Sequence, residues 1–288
     1  MRHLLFSIAG GLLLSTSTLG GAEPHISPAE PKRGGIFQHL VRSELQSRDT
    51  SIRVLLPKEL VSQANLDFRS LTTAKKLPVV YLLPVEPLNG RQYGDAMNEA
   101  VRLDAANRFH AIFVAPSFAE LPWYADHPTV RTLAQEQYFL KVVLPFVERT
   151  YPALAEPRGR LLVGFSKSGW GAWSLLLRHP DVFGRAASWD APLTMGWPSK
   201  YGSQPIFGTE ENFEKYRITR LLEEHAKLLA SEPPRLILLG KGNFSDHEPI
   251  HAQLEKLGIP HVYRDDPKTP HVWDPAWLEP AWEALLKP

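Results

Sequence analysis

Arg160-Leu-Leu-Val-Gly-Phe-Ser166-Lys-Ser-Gly-Trp-Gly-Ala172 starts as a short continuous apolar run and becomes a helix-forming stretch of small residues at Ser166. Six residues suit a strand buried on both faces. A serine at such a joint is held on a sharp turn, its hydroxyl exposed above the sheet and the first amides of the following helix aimed near it. Gly164, two residues earlier, fits the tight approach of helix to strand, and Ser168 stands where G-x-S-x-G would have its second glycine, with Gly169 and Gly171 following. Ser168 is the rival nucleophile, but Trp170 would then take the close-contact position, where an indole cannot fit. The other reading of Ser166 is that it merely caps a helix. Residues elsewhere in the chain decide between them.

Outward from this joint the same rhythm recurs. Apolar runs at 78–83, 111–115, 185–189, 235–239 and 261–263 read as further buried strands. Between them lie helical patterns at 94–107, 132–150, 168–178, 218–229, 249–257 and 275–286, with Pro145 expected to kink the second of these. Residues 36–45 and 51–56 alternate only partly and predict an antiparallel start to the sheet. The whole predicts an α/β fold with a largely parallel sheet and helices on both faces. The fold is expected to occupy residues 35–288, with 193–216 an excursion that could form a partial lid and 23–34 a flexible lead-in.

Residues 1–22 open with Arg2, run apolar from Leu4 to Leu14 and end in Gly20-Gly21-Ala22, which predicts a secretory signal peptide and a mature chain beginning near Glu23. That run is far shorter than the roughly 20 residues of a membrane span, and no later segment is a better candidate. The chain carries 32 Lys and Arg against 31 Asp and Glu, too even a balance to favour a nucleic-acid partner. It has no cysteine, so neither disulfides nor thiolate ligands stabilise it. A periplasmic or extracellular bacterial protein held together by packing is the expectation. No metal and no cofactor are expected; Asp126 and His127 are adjacent and should point apart.

A serine hydroxyl needs a histidine to take its proton and a carboxylate to orient that histidine. On a hydrolase sheet the chain order is serine, acid, histidine. Asp246 is the first acid past the strand at 235–239, and His271 lies in the loop after the last strand. Asp190, directly after the strand at 185–189, is the alternative acid. Of the 11 histidines, His247 and His251 fall in or before a helix and His261 opens a strand, which leaves His271 as base. The oxyanion needs two amide donors. Lys167 supplies one, and since prolines cannot donate, Val85 or Glu86 of Pro84-Val85-Glu86-Pro87 supplies the other. A Glu86 carboxylate beside an anion is unfavourable unless it turns away or pairs with Lys167 or Arg91.

With these residues in place the chain resembles the esterase D or putative-esterase family of the α/β-hydrolases, which includes S-formylglutathione hydrolases, feruloyl and acetyl-xylan esterases and mycolyltransferases. The resemblance runs from about Ile52 to Leu286 and rests on Val54-Leu-Leu-Pro57, Val79-Val-Tyr-Leu-Leu83, the Ser166 elbow, Arg178-His-Pro-Asp-Val-Phe183 and His271-Val-Trp273. It implies Ser166 as nucleophile, Asp246 as acid and His271 as base. The chain departs from the family in having Pro84-Val85 where most members have His-Gly, and Ser168 where most have Gly.

The resulting expectation is a serine esterase acting on a small-molecule or carbohydrate ester through an acyl-enzyme. An acyltransferase on the same triad and a non-catalytic carbohydrate-binding relative are the alternatives. All eight tryptophans lie at or after Trp123, and flat aromatic surfaces suit sugar rings or aromatic acyl groups. Trp123, Tyr124, Trp170 and Trp273 are the expected substrate contacts.

Overall fold

The computed structural model describes residues 22–64, 75–230, 233–241, 243–244 and 246–287. The predicted signal peptide lies outside the described residues apart from Ala22. Among the described residues ten strands form one sheet: β1 (His25–Ile26), β2 (Glu30–Pro31), β3 (Ile36–Arg42), β4 (Thr50–Leu55), β5 (Val79–Leu82), β6 (Ile112–Pro116), β7 (Arg160–Phe165), β8 (Arg185–Trp189), β9 (Leu236–Lys241) and β10 (His261–Lys268). Their order is β1-β3-β4-β6-β5-β7-β8-β9-β10, with β2 also on β3. The pairs from β1 through β4 to β6 are antiparallel, and those from β6 through β10 are parallel. Residues 23–34, read as a flexible lead-in, contribute two short strands, β1 and β2.

Strand residues alternate between two apolar layers. Val79 and Tyr81 of β5 face one with Leu162 of β7, while Val80 and Leu82 face the other with Leu161, Val163 and Phe165. The first layer is closed by the helices Ser166–Arg178, Ile218–Leu229 and His247–Leu257 and by the helical run from Gln135 to Thr150. The second is closed by Ala96–Arg102, Ala105–Phe109 and Pro275–Leu286. Being apolar on both sides is why these strands read as unbroken hydrophobic runs.

Two helices differ from expectation. The stretch at 94–107 is broken by Asp104, whose φ is +51°. The long helix ahead of β7 absorbs Pro145 without a sharp break, because its middle, Phe139–Val143, widens to π geometry. Proline has no amide to donate, and its ring would press on the carbonyl four residues back; the wider turn relieves both.

β7 and β8 are neighbours in register, Phe165 opposite Trp189, so Ser166 and Asp190 leave the sheet side by side. This fixes where the site lies: at the carboxyl ends of the parallel strands.

Candidate active site

The helix Ser166–Arg178 begins on the residue after β7, and the turn is tight enough to put Ser166 at φ +51°. A side chain in that left-handed region costs on the order of 1–3 kcal/mol, and such strain gathers at functional positions. Close packing enforces the turn. A Cβ on Gly164 would meet the Ser168 carbonyl at 2.4 Å, so helix and strand touch backbone to backbone. The Ser168 hydroxyl donates to the Phe165 carbonyl at 2.9 Å and accepts from the Phe165 amide at 3.1 Å. Ser168 is therefore fully buried and committed to holding the elbow, whereas Ser166 retains 8% exposure.

The Ser166 amide donates to the Asp190 carbonyl at 3.1 Å. Asp190 also has a positive φ, +41°, which turns its fully buried side chain toward His271. Its Oδ2 lies 2.5 Å from His271 Nδ1, and its Oδ1 accepts from the Phe244 amide at 2.7 Å. Burial works to raise the Asp190 pKa; the His271 contact and the amides of Phe244 and Asn243 outweigh it, so the carboxyl sits below its usual range and is ionised. It can hold a proton on His271 Nδ1, leaving Nε2 to receive another.

Asp246, expected as the acid, does not reach His271. Its Oδ1 accepts from the Thr194 amide at 2.7 Å and from the Thr194 hydroxyl. The reason is geometric: β9 runs two residues past the predicted strand, and Asp246 stands at the cap position of the helix His247–Leu257. The carboxylate is thereby aimed at the loop after β8. His247 braces the same loop from below. Burial lowers its pKa, its Nδ1 faces the Gly240 carbonyl at 2.8 Å, and its Nε2 accepts from the Ala191 amide at 3.4 Å. Sequence reasoning missed this role.

An aromatic wall orients His271. Tyr93, Phe165 and Phe244 approach its ring at 5.8, 5.0 and 5.6 Å, and Trp189 at 6.1 Å. The wall comes from the ends of β5, β7, β8 and β9, so it only exists once the sheet has formed. Among the described residues His271 hydrogen-bonds to Asp190 and not to Ser166 Oγ, and contacts of this kind often tighten only with substrate.

The loop after β5 resolves the difficulty with Glu86. Its carboxylate accepts from the amides of Gln92 at 3.1 Å and Tyr93 at 3.3 Å. It also acts on Lys167, whose pKa is lowered by burial and partly restored by Glu86. The Tyr93 carbonyl in turn accepts from the Trp273 amide at 2.9 Å, so this loop holds the His271 segment in place. The Pro84 carbonyl is fixed by the Tyr124 hydroxyl at 2.5 Å. Tyr124 reaches it only because residue 171 is glycine, where a Cβ would lie 2.0 Å from the ring.

All four expected substrate contacts are core residues. Trp123 and Trp170 are fully buried and Tyr124 is 1% exposed; the indoles of Trp123 and Trp170 pack edge to face at 5.6 Å beneath Phe207. The segment 193–216 covers them by burying Leu193, Met195, Ile206, Phe207 and Phe213. Trp273 is 7% exposed and packs on Phe165 and Trp277. The aromatic surface open to solvent is instead Trp197 and Tyr201. Tyr201 lies 5.3 Å from Phe244, which itself touches His271. Pro192, Thr194, Lys200, Tyr201, Asn243 and Phe244 line a cavity of about 350 Å³ there.

A strained serine and a buried ionised aspartate at the ends of adjacent strands, with an aromatic-walled histidine from the loop after β10 on the aspartate, are the parts of a serine hydrolase of the α/β-hydrolase fold. The putative esterase family profile matches residues 43–243 of the sequence, and the chain belongs to that family. It is thus an esterase. No curated protein matches the chain. Among solved structures it is similar to a ferulic acid esterase (19% identity, TM-score 0.66, covering 87% of this chain and 95% of that one). It is similar also to the fluorophosphonate-binding serine hydrolase F of Staphylococcus aureus (18%, TM-score 0.69, 91% and 100%). A third is the S-formylglutathione hydrolase of the same organism (18%, TM-score 0.67, 91% and 100%). At these identities the likeness is one of fold.

Proposed function

We propose that the protein is an exported carboxylic ester hydrolase working through an acyl-enzyme on Ser166, with His271 as general base and Asp190, in place of Asp246, as the acid that orients it. The observation that carries this reading is the 2.5 Å contact of His271 Nδ1 with Asp190 Oδ2, one residue beyond the strand next to the elbow. In the reaction His271 Nε2 takes the Ser166 proton as Oγ bonds to the ester carbon. The carbonyl becomes an oxyanion received by the Lys167 amide, which the start of the helix leaves without an intrahelical acceptor, and by the amide of Val85 or Glu86. His271 then returns the proton to the departing alcohol. Water repeats the sequence in reverse and frees the acid.

Two finer parts belong to the proposal. Export rests on the apolar leader at Leu4–Leu14 and its small-residue end, and amino-terminal sequencing of the protein recovered outside the cytoplasm should begin near Glu23. An ester bearing a flat aromatic or sugar ring fits the Tyr201–Phe244 corner, and some proteins of this fold are ferulic acid esterases.

The central test is Ser166→Ala. Hydrolysis of short p-nitrophenyl esters should fall by about 10⁴-fold or more, and labelling by a fluorophosphonate probe should vanish. Undiminished turnover in that variant would overturn the assignment.

A further inference from the structure

We propose that His251, Glu255 and His261 form a binding site for a divalent transition-metal ion of the zinc class that pins the helix His247–Leu257 to β10. His251 and Glu255 are four residues apart and share a helix face, and His261 opens the strand packed beside it. His251 Nδ1 lies 2.8 Å from His261 Nε2, and His261 Nε2 lies 4.0 Å from a Glu255 carboxylate oxygen. One ligand atom from each of the three falls within 4.8 Å of the others.

The chemistry of each donor suits a cation. His261 Nδ1 faces the Ile259 carbonyl at 2.8 Å. A carbonyl only accepts, so that nitrogen carries the proton and Nε2 presents its lone pair into the cluster. A backbone partner on the far ring nitrogen is the usual support of a metal-bound histidine. The His251 ring is fixed in plane by stacking on Tyr263 at 3.9 Å and 10°. Bonds of about 2.0–2.1 Å in a tetrahedral site separate ligand atoms by roughly 3.3 Å. The observed 2.8 and 4.0 Å bracket that value. A small opening of the two rings and an inward swing of Glu255, whose side chain is 68% exposed, would meet it while the His261 side chain stays 3% exposed. Two imidazoles and one carboxylate favour zinc and its neighbours over calcium or magnesium, which prefer oxygen alone. The exposed Glu255 side leaves a fourth position for water.

The ion would act on stability. The helix it grips begins at Asp246 and His247, which hold the loop after β8, and β10 leads to His271. In a chain without cysteine a metal clamp takes the place that a disulfide could otherwise fill.

The test is calorimetric titration of chelator-treated protein with zinc chloride, paired with thermal unfolding. The wild-type chain should take up one ion, with the unfolding midpoint rising by roughly 5–10 °C once free zinc exceeds the dissociation constant about a hundredfold. His251→Gln should abolish uptake and the shift. Glu255→Gln, on an exposed side chain, should weaken binding about tenfold and leave the fold and zinc-free esterase activity unchanged, so it keeps the test decisive if His251→Gln misfolds. No uptake by the wild-type chain, or wild-type affinity in Glu255→Gln together with retained uptake in any folded His251→Gln protein, overturns the proposal.

Discussion

The Ser166 amide donates to the Asp190 carbonyl at 3.1 Å, and both residues hold a positive φ. The two residues are thus joined through their backbones, independently of the contact between the Asp190 side chain and His271. Asp190→Asn should keep this frame and lose the charge, lowering kcat by about 10³–10⁴-fold. Asp246→Ala should leave kcat within about threefold and cost about 1 kcal/mol in urea unfolding, because it removes only the Thr194 bonds. Steady-state kinetics on the two variants checks the assignment, and a reversed order of effects would refute it.

Tyr124→Phe removes a single hydroxyl from the Pro84 carbonyl. The ring should stay seated against Gly171, so the loss falls on the loop that supplies the second oxyanion donor. We expect kcat to drop about tenfold with little change in KM, the signature of an interaction needed mainly in the transition state.

Acid should weaken the protein in two stages. Burial lowers the folded pKa of His247 below its usual 6.5, so as pH falls through 6.5 the unfolded chain takes up a proton that the folded chain refuses. Stability therefore declines with falling pH, by at most about 1.4 kcal/mol per unit for each such group, until the folded pKa is reached. His39, also lowered by burial, adds in the same direction. His247→Gln should flatten the decline below pH 6.5 in urea titrations. Asp190 acts lower: its depressed pKa gives stability that is complete above its usual 3.8 and lost as pH drops through the folded value.

Tyr201→Ala opens the corner beside Phe244. Its effect should depend on substrate, with kcat/KM for methyl ferulate falling about tenfold and that for a small acetate ester nearly unchanged. Equal losses on both esters would exclude Tyr201 from recognition.

The sheet was legible because each central strand is apolar on both faces and leaves an unbroken run, and β7 and β8 have the bounds read from the sequence. The elbow was legible because its glycines and small residues are required by contact distances at Gly164 and Gly171. The acid was not. Asp190 and Asp246 both follow a parallel strand, and chain order alone does not separate them. A cue was present: Asp246 stands three residues before Pro249, in the place of a helix cap, while Asp190 follows Trp189 with no helix to start. The tryptophans misled because bulk and flatness suit a buried layer as well as a binding surface, and the cover supplied by residues 193–216 has no periodic signal.

The turn at Ser166 has a consequence for how far the protein can be improved. A glycine would adopt φ +51° without strain, so Ser166→Gly should be catalytically dead and yet more stable, by up to about 1 kcal/mol after the added freedom of its unfolded chain is counted. Selection for robustness alone would erase the residue. Its persistence would have to be maintained by turnover, and any campaign to stabilise this enzyme should leave the elbow alone and work on the edge strands instead.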